Sequence, residues 1–441
     1  MRLNTASLDR LGAEVERPTY DRAAQDVGIV HFGIGAFHRA HQAWYTDLAM
    51  EAGDRDWAII GVSLRSPAVA EQLNPQDGLY TVSERSTGAA RTRLIGAVRA
   101  VLVAPRERER VVAAIAAPGT RIVSLTVTEK GYCRGADGNL DLALAGGDSF
   151  YVYLLPALQL RHQAGLPGLT LLSCDNLADN GRQLECLVAQ YVERHCPELL
   201  PWVEAECTFP STMVDRIVPA TTADDLSALA DRIKLEDAGA VMTEPFSQWV
   251  IEDRFAGPRP RWEVAGAELV SDVAPYEKAK LRMLNGAHSL LAYCGLARGY
   301  AFVHQAIADP ELLGLTQQLM LTEAAPTIAA APGQDLELYA RNLIARFANP
   351  ALNHRLIQIA MDGSQKLPQR WLETLSAQQA QGQQCPAIFT GLQAWVQHLR
   401  GENGSVDDPL AEQLIPLAKS PNPLAKLVGV NGLLPSQWRP D

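Results

Sequence analysis

The sequence predicts an α/β protein, with a doubly wound N-terminal domain followed by a mainly α-helical C-terminal domain. Three observations predict it. Short apolar strands alternate with helices between residues 28 and 192, which implies a parallel sheet with helices on both faces. A glycine-rich turn, Gly33-Ile34-Gly35, follows the first strand and precedes a helix. After about residue 270 only helical segments remain, with no convincing strand. A chain of 441 residues suits two or three domains, and 47% hydrophobic with 20% charged residues is ordinary for a globular protein.

In chain order, residues 1–25 read as a polar lead-in. Residues 28–33 form a short buried strand ending in glycine, and 37–52 a helix. Residues 57–64 are a second apolar strand, 94–103 a third, and 111–117 a helix. The β-branched run 122–128 is a strand, 150–164 a helix, 169–174 another buried strand and 180–192 another helix. Asp272-Val273-Ala274-Pro275 is the expected junction, because Pro275 disfavours helix at Ala274 and can open the next one. The expected domains are 1–270, dinucleotide-binding, and 271–441, helical and carrying substrate and catalytic groups. Helices are expected over 276–297, 310–323, 335–346, 351–361, 368–382, 386–400 and 408–417.

A formal net charge of −11 and a pI near 5.4 argue against a nucleic-acid partner. No run approaches the roughly 18–20 apolar residues of a membrane span, and the N-terminus lacks the apolar core of a signal peptide. The seven cysteines form no CxxC pair, and His195-Cys196 with Cys207 matches no zinc spacing. The expectation is a cytoplasmic protein without a structural zinc site, monomeric or a small homo-oligomer, with neither nucleic acid nor membrane as a partner.

Gly33-Ile34-Gly35-Ala36-Phe37-His38 stands where a Rossmann-like fold carries its dinucleotide fingerprint. Gly33 would allow the tight turn. Gly35, with Ala36 and Phe37, would let the backbone approach a pyrophosphate at the helix start. His38 replaces the third glycine, so a glycine turn with no cofactor is the competing reading. The second strand ends Ser63-Leu64-Arg65-Ser66-Pro67, without the acid that grips a ribose diol. Arg65 can meet a 2′-phosphate or lie over the adenine, which leaves NAD or NADP open.

The segment Tyr276–His288 carries the most chemistry. On a regular helix Asn285 and His288 stand roughly 140° and 80° from Lys280, so all three can line one wall of a cleft. Lys, Asn and His must each be hydrogen-bonded or solvated when buried, and together they suit removal of a hydroxyl proton. A snorkelling surface lysine is the bland alternative for Lys280. Glu129, Asn176 and Asp215 lie in other charged or polar segments near strand ends. Asn176 could instead cap a helix, and Asp215 could pair with Arg216.

These segments together resemble the long-chain polyol dehydrogenase family, which spans mannitol 2-dehydrogenase, arabinitol dehydrogenase and the hexuronate reductases. The resemblance rests on Gly33–His41, Thr128-Glu129-Lys130-Gly131-Tyr132, Ser173-Cys174-Asp175-Asn176, Gln248–Asp253 and Lys280-x4-Asn285-x2-His288. It implies a metal-independent, NAD(P)-dependent oxidoreductase, with NAD first and NADP open. Lys280 is then the general base, because a buried lysine loses its charge more easily. Asn176 and Asn285 form the oxyanion hole, and His288 holds the reactive oxygen. Glu129 is expected beside the cofactor, and Asp215 beside the substrate. Within the family, the segment 361–370 is similar to the fructuronate reductases, with Lys366 and Arg370 as cations for a sugar carboxylate. Mannitol-type enzymes tend to carry Arg where this chain has Gln358. The expected reaction is D-fructuronate to D-mannonate. The alternative is a polyol dehydrogenase acting on D-mannitol, D-arabinitol or D-sorbitol.

Overall fold

A computed structural model describes residues 1–86, 88 and 90–439. The chain divides into two compact units, Met1–Val273 and Ala274–Asp441.

The first unit is built on a five-stranded, all-parallel sheet. Its spatial order is Val98–Val103, Ala58–Ser63, Val27–Phe32, Ile122–Leu125, Thr170–Ser173. The order reverses between Val27–Phe32 and Ile122–Leu125, and this is the switch point at which doubly wound sheets bind ligands. The strands are largely apolar because both faces are covered, and Ile122–Leu125 and Thr170–Ser173 are buried at every position, Ser124, Thr170 and Ser173 included. Helices Gln42–Glu51, Arg108–Ala116, Tyr151–Gln163 and Asn180–His195 supply much of that cover. Gly61 is needed because Ile34 packs onto it: a Cβ there would lie 2.1 Å from Ile34 Cδ1.

Several sequence expectations are corrected in this unit. The segment 1–25 is not a mere lead-in, since Leu3, Leu11 and Val15 are buried with Leu79, Leu94, Leu229 and Ile233. Residues 94–103 are not one strand. Arg91–Ile95 pairs with Tyr80–Glu84 and Val98–Val103 joins the main sheet, with a turn between that the buried Asp47 holds by accepting Gly96 N–H at 2.8 Å. The helix expected over 37–52 breaks at His41 into Ala36–Ala40 and Gln42–Glu51. The strand expected over 122–128 ends at Leu125, because Thr128 takes φ +64° and opens the short helix Thr128–Gly131. A further sheet joins Thr212–Asp215, Gln248–Glu252 and Glu268–Val270.

The second unit is helical around Gly286–Ala297. This helix is mostly apolar and buried from Gly286 to Gly295, as suits a helix at the centre of a core. One strand pair, Val428–Gly429 with Leu434–Pro435, corrects the expectation of none. The expected helix 276–297 is a composite: Ala274–Ala279 is α-helical, Lys280–Asn285 is a π-helix, and the α-helix resumes at Gly286. Leu319–Ala324 and Pro368–Leu372 are also π-helical. Among the described residues no helix is long and apolar enough to cross a membrane.

Candidate active site

In the first unit the strand ends at the switch point border a cleft of about 600 Å3. Gly33, Leu64, Arg65, Thr126, Thr128 and Lys130 are among its lining residues. Gly33 has φ +92°, and a Cβ there would lie 2.0 Å from Thr126 O, so no other residue fits. At Gly35, by contrast, a Cβ would meet only Gly33 O at 3.9 Å. That open space above the backbone is where a diphosphate can come close. Ala36 and Phe37 begin the helix that follows. The exposed Arg65 and Lys130 give the cleft positive charge suited to phosphate.

His38 does not face this cleft. It is fully buried, stacked on His31 with ring centroids 3.4 Å apart, and neither ring nitrogen has a hydrogen-bond partner. Burial holds both rings neutral, with the His31 pKa lowered to about 3 and that of His38 lowered further below the ordinary range. His31 contacts Thr126 Oγ1 at 2.8 Å, and that hydroxyl donates to Gly33 O at 2.6 Å. The histidine layer therefore underpins the glycine turn.

Asp175 ties two strand ends together. Its carboxylate accepts Val127 N–H at 3.0 Å, Thr128 N–H at 2.9 Å and Tyr132 O–H at 2.9 Å. Burial still raises its pKa against those bonds. The Thr128 backbone lies in the left-handed region, where β-branched residues are outliers, and these bonds hold it there. Glu129 and Asn176 are exposed next to this knot. Asn176 does not cap the next helix, whose N-cap is Asp179. Asn180 instead braces the loop by donating to Asp175 O and Thr212 O. Asp215 is buried at the end of its strand. Arg216 pairs with Glu84 at 2.5 Å and lies over Trp44.

In the second unit Lys280 is buried, at 9% exposure, and opens the π-helix that Asn285 ends. The i→i+5 repeat brings residue i+5 back close to the face of residue i. Asn285 therefore stands nearer to Lys280 than the regular-helix angle of roughly 140° implies. His288 follows one α-turn later, buried, and its Nε2 has no partner. Burial first, then His354, Arg346 and Arg370, hold its pKa well below the ordinary value, so the ring is neutral. That ring nitrogen is left available to a bound group. Phe347 packs against His288 at 4.7 Å, and His354 meets it edge-on at 5.2 Å.

Arg370 donates to Ser289 Oγ at 2.9 Å and to Asn285 O at 3.4 Å. Burial lowers its pKa to about 10, and it forms no ion pair among the described residues. Lys366 donates to Met361 O at 2.6 Å and lies 3.6 Å from Asp362. Gln358 is exposed on the short helix Leu356–Ile359. Neither Arg346 nor His354 is singled out in the sequence. Both lie in the second unit close enough to His288 to influence its charge, and no spacing motif marks them.

The first unit carries a match to the mannitol dehydrogenase Rossmann domain over residues 27–264, and the second to the mannitol dehydrogenase C-terminal domain over residues 272–422. This chain belongs to the mannitol dehydrogenase family. It is thus an oxidoreductase of a family acting on CH–OH groups. It is 43% identical to D-mannonate oxidoreductase of Escherichia coli K12 over 419 residues, 90% of this chain and 86% of that one. The solved Pseudomonas fluorescens mannitol 2-dehydrogenase, a ternary complex with NAD and D-mannitol, is 37% identical with a TM-score of 0.81. That match covers 95% of this chain and 89% of the other. A substrate-free D-sorbitol dehydrogenase is 36% identical with a TM-score of 0.90, covering 95% and 91% of the two chains.

Proposed function

We propose that this protein interconverts D-fructuronate and D-mannonate with NAD(H). The observation that carries the substrate is Arg370, a partly buried guanidinium whose hydrogen bonds go to neutral oxygens. A charge in that setting calls for a counter-ion, and a sugar carboxylate supplies one. Two features support the reading: the 43% identity to a D-mannonate oxidoreductase, and Gln358 where mannitol-type enzymes tend to carry Arg.

The first unit is the cofactor domain, with Gly33, Gly35, Ala36, Phe37 and Arg65 holding the dinucleotide and Glu129 beside it. The bound nicotinamide supplies or accepts the hydride at the substrate carbon. In oxidation Lys280 takes the hydroxyl proton, and the amide N–H groups of Asn285 and Asn176 donate to the developing alkoxide. In reduction the same lysine returns the proton. His288 Nε2 bonds the reactive oxygen, and its lowered pKa makes it a weak competitor for the proton. Asp215 orients the polyol chain, and Arg370 with Lys366 binds the carboxylate. The seven unpaired cysteines fit a reducing, cytoplasmic setting.

The second reading is a neutral polyol dehydrogenase, favoured by the likeness to the mannitol-bound relative. Consumption of NADH and NADPH with D-fructuronate, D-tagaturonate and D-fructose separates the two. Fast fructuronate turnover with little on fructose is expected, and the reverse moves the protein to the polyol branch. Arg370→Gln should raise KM for fructuronate by about tenfold or more, the loss of one charge-assisted contact of about 1.5–3 kcal/mol. A KM change equal for fructuronate and fructose would remove the carboxylate role.

A further inference from the structure

The second unit contains three π-helical segments, Lys280–Asn285, Leu319–Ala324 and Pro368–Leu372, and all three meet at Gly286. A Cβ built on Gly286 would lie 3.4 Å from Arg370 O, 3.4 Å from Leu319 Cδ2 and 3.6 Å from Trp371 Nε1. Gly286 O accepts the buried Trp371 Nε1–H at 3.1 Å. One residue earlier, Asn285 O accepts Arg370 Nη1–H, and that same nitrogen donates to the buried Ser289 Oγ. Trp371 is itself fully buried, with its ring edge over Gly391, where a Cβ would lie 2.8 Å from Cη2. The indole has no room to swing away.

A π-turn inside an α-helix is rare and recurs at functional sites, so something outside the helix must favour it over the regular form. Relaxation to α-helix would rotate Lys280 by about 100°, one residue's step, relative to Asn285 and His288. The bonds to Asn285 O and Gly286 O fix the helix where the π-turn ends. We infer that Trp371, with Ser289 behind Arg370, is a positioning residue that holds the π-turn and so sets where the Lys280 amine stands relative to Asn285. Trp371 itself touches no reacting atom. The inference rests on the reading of Lys280 as the base.

The test is Trp371→Phe in the full chain, which keeps most of the ring and removes the N–H. Oxidation of D-mannonate, or of D-mannitol if that is faster, is followed across pH, and NADH binding is measured by fluorescence. The expected result is a kcat lower by roughly tenfold or more, a displaced kcat–pH profile and unchanged NADH affinity. If this variant does not fold, Ser289→Ala replaces it, with a fall of about two- to fivefold and a displacement in the same sense. A folded variant with wild-type kcat, or with reduced kcat on the wild-type pH profile, overturns the inference. Lys280→Ala is run beside it. Retained turnover there would remove the base reading, and the inference with it. Lost turnover there, with a wild-type Trp371→Phe, would remove the positioning role alone.

Discussion

At the scale of single residues, the site is made of groups that a packed core would not choose. Lys280 is buried on a helix whose neighbours Met283, Leu284 and Ala287 are core residues. Replacing it with alanine should cost little in stability, because a buried amine carries a desolvation cost of its own. Turnover should fall by about a thousandfold or more, while NADH binding survives. In the wild type, oxidation should rise with pH, since only the unprotonated amine can accept the hydroxyl proton. A chemical step that is flat with pH would contradict the role. Gly33 answers to sterics instead. Gly33→Ala puts a methyl group 2.0 Å from Thr126 O at φ +92°, so the turn must move. A loss of about 2–4 kcal/mol and a weakened NADH affinity are expected from thermal melts and titration. An alanine variant with unchanged melting and affinity would show that the turn is not built as described.

At the scale of elements, Asp175 shows how one side chain shapes a site that it does not complete. It links the ends of Ile122–Leu125 and Thr170–Ser173 by taking two backbone N–H groups and a tyrosine hydroxyl. Asp175→Asn keeps one carbonyl acceptor and turns an amide N–H toward a backbone donor. A loss of about 1–3 kcal/mol is expected, with weaker cofactor binding because Thr128 is released beside the cleft. Unaltered NADH affinity in a destabilised variant would confine Asp175 to a structural role. The elements also mark where local sequence stops informing. Lys280, Asn285 and His288 were legible as a set from spacing, but not the π-turn that joins them. The residue bonded to Gly286 lies 85 positions further on.

At the scale of the molecule, the buried histidines couple folding to pH. Burial lowers the pKa of His31, His38 and His288 in the folded state. The unfolded chain therefore binds protons first, and stability rises with pH across the window between folded and unfolded values. The contribution is complete above about pH 6.5 and is lost as pH falls toward the folded value, about 3 for His31. Each such histidine removes up to about 1.4 kcal/mol per pH unit in that window. Asp47 and Asp237, whose pKa burial raises, oppose the trend on the acid side. Melting curves between pH 7.5 and about 5.5 should show a falling midpoint, and a constant or rising one would contradict the account.

The sequence by itself determined the doubly wound character of the first unit, because largely apolar strands alternating with helices call for cover on both faces, which Ile122–Leu125 and Thr170–Ser173 have at every position. It also determined the glycine turn, since backbone sterics at Gly33 admit no side chain, and the Lys-Asn-His set, since such residues are costly in a core unless used. Only the tertiary structure decided the strand order, the burial of His38 beneath the turn it was expected to line, the π-turn under Lys280 and the presence of His354 against His288. The physical reason is common to all four. Periodicity reports which face of a segment avoids water, whereas these features depend on which distant donor, acceptor or ring arrives at that face, and no local pattern encodes the arrival.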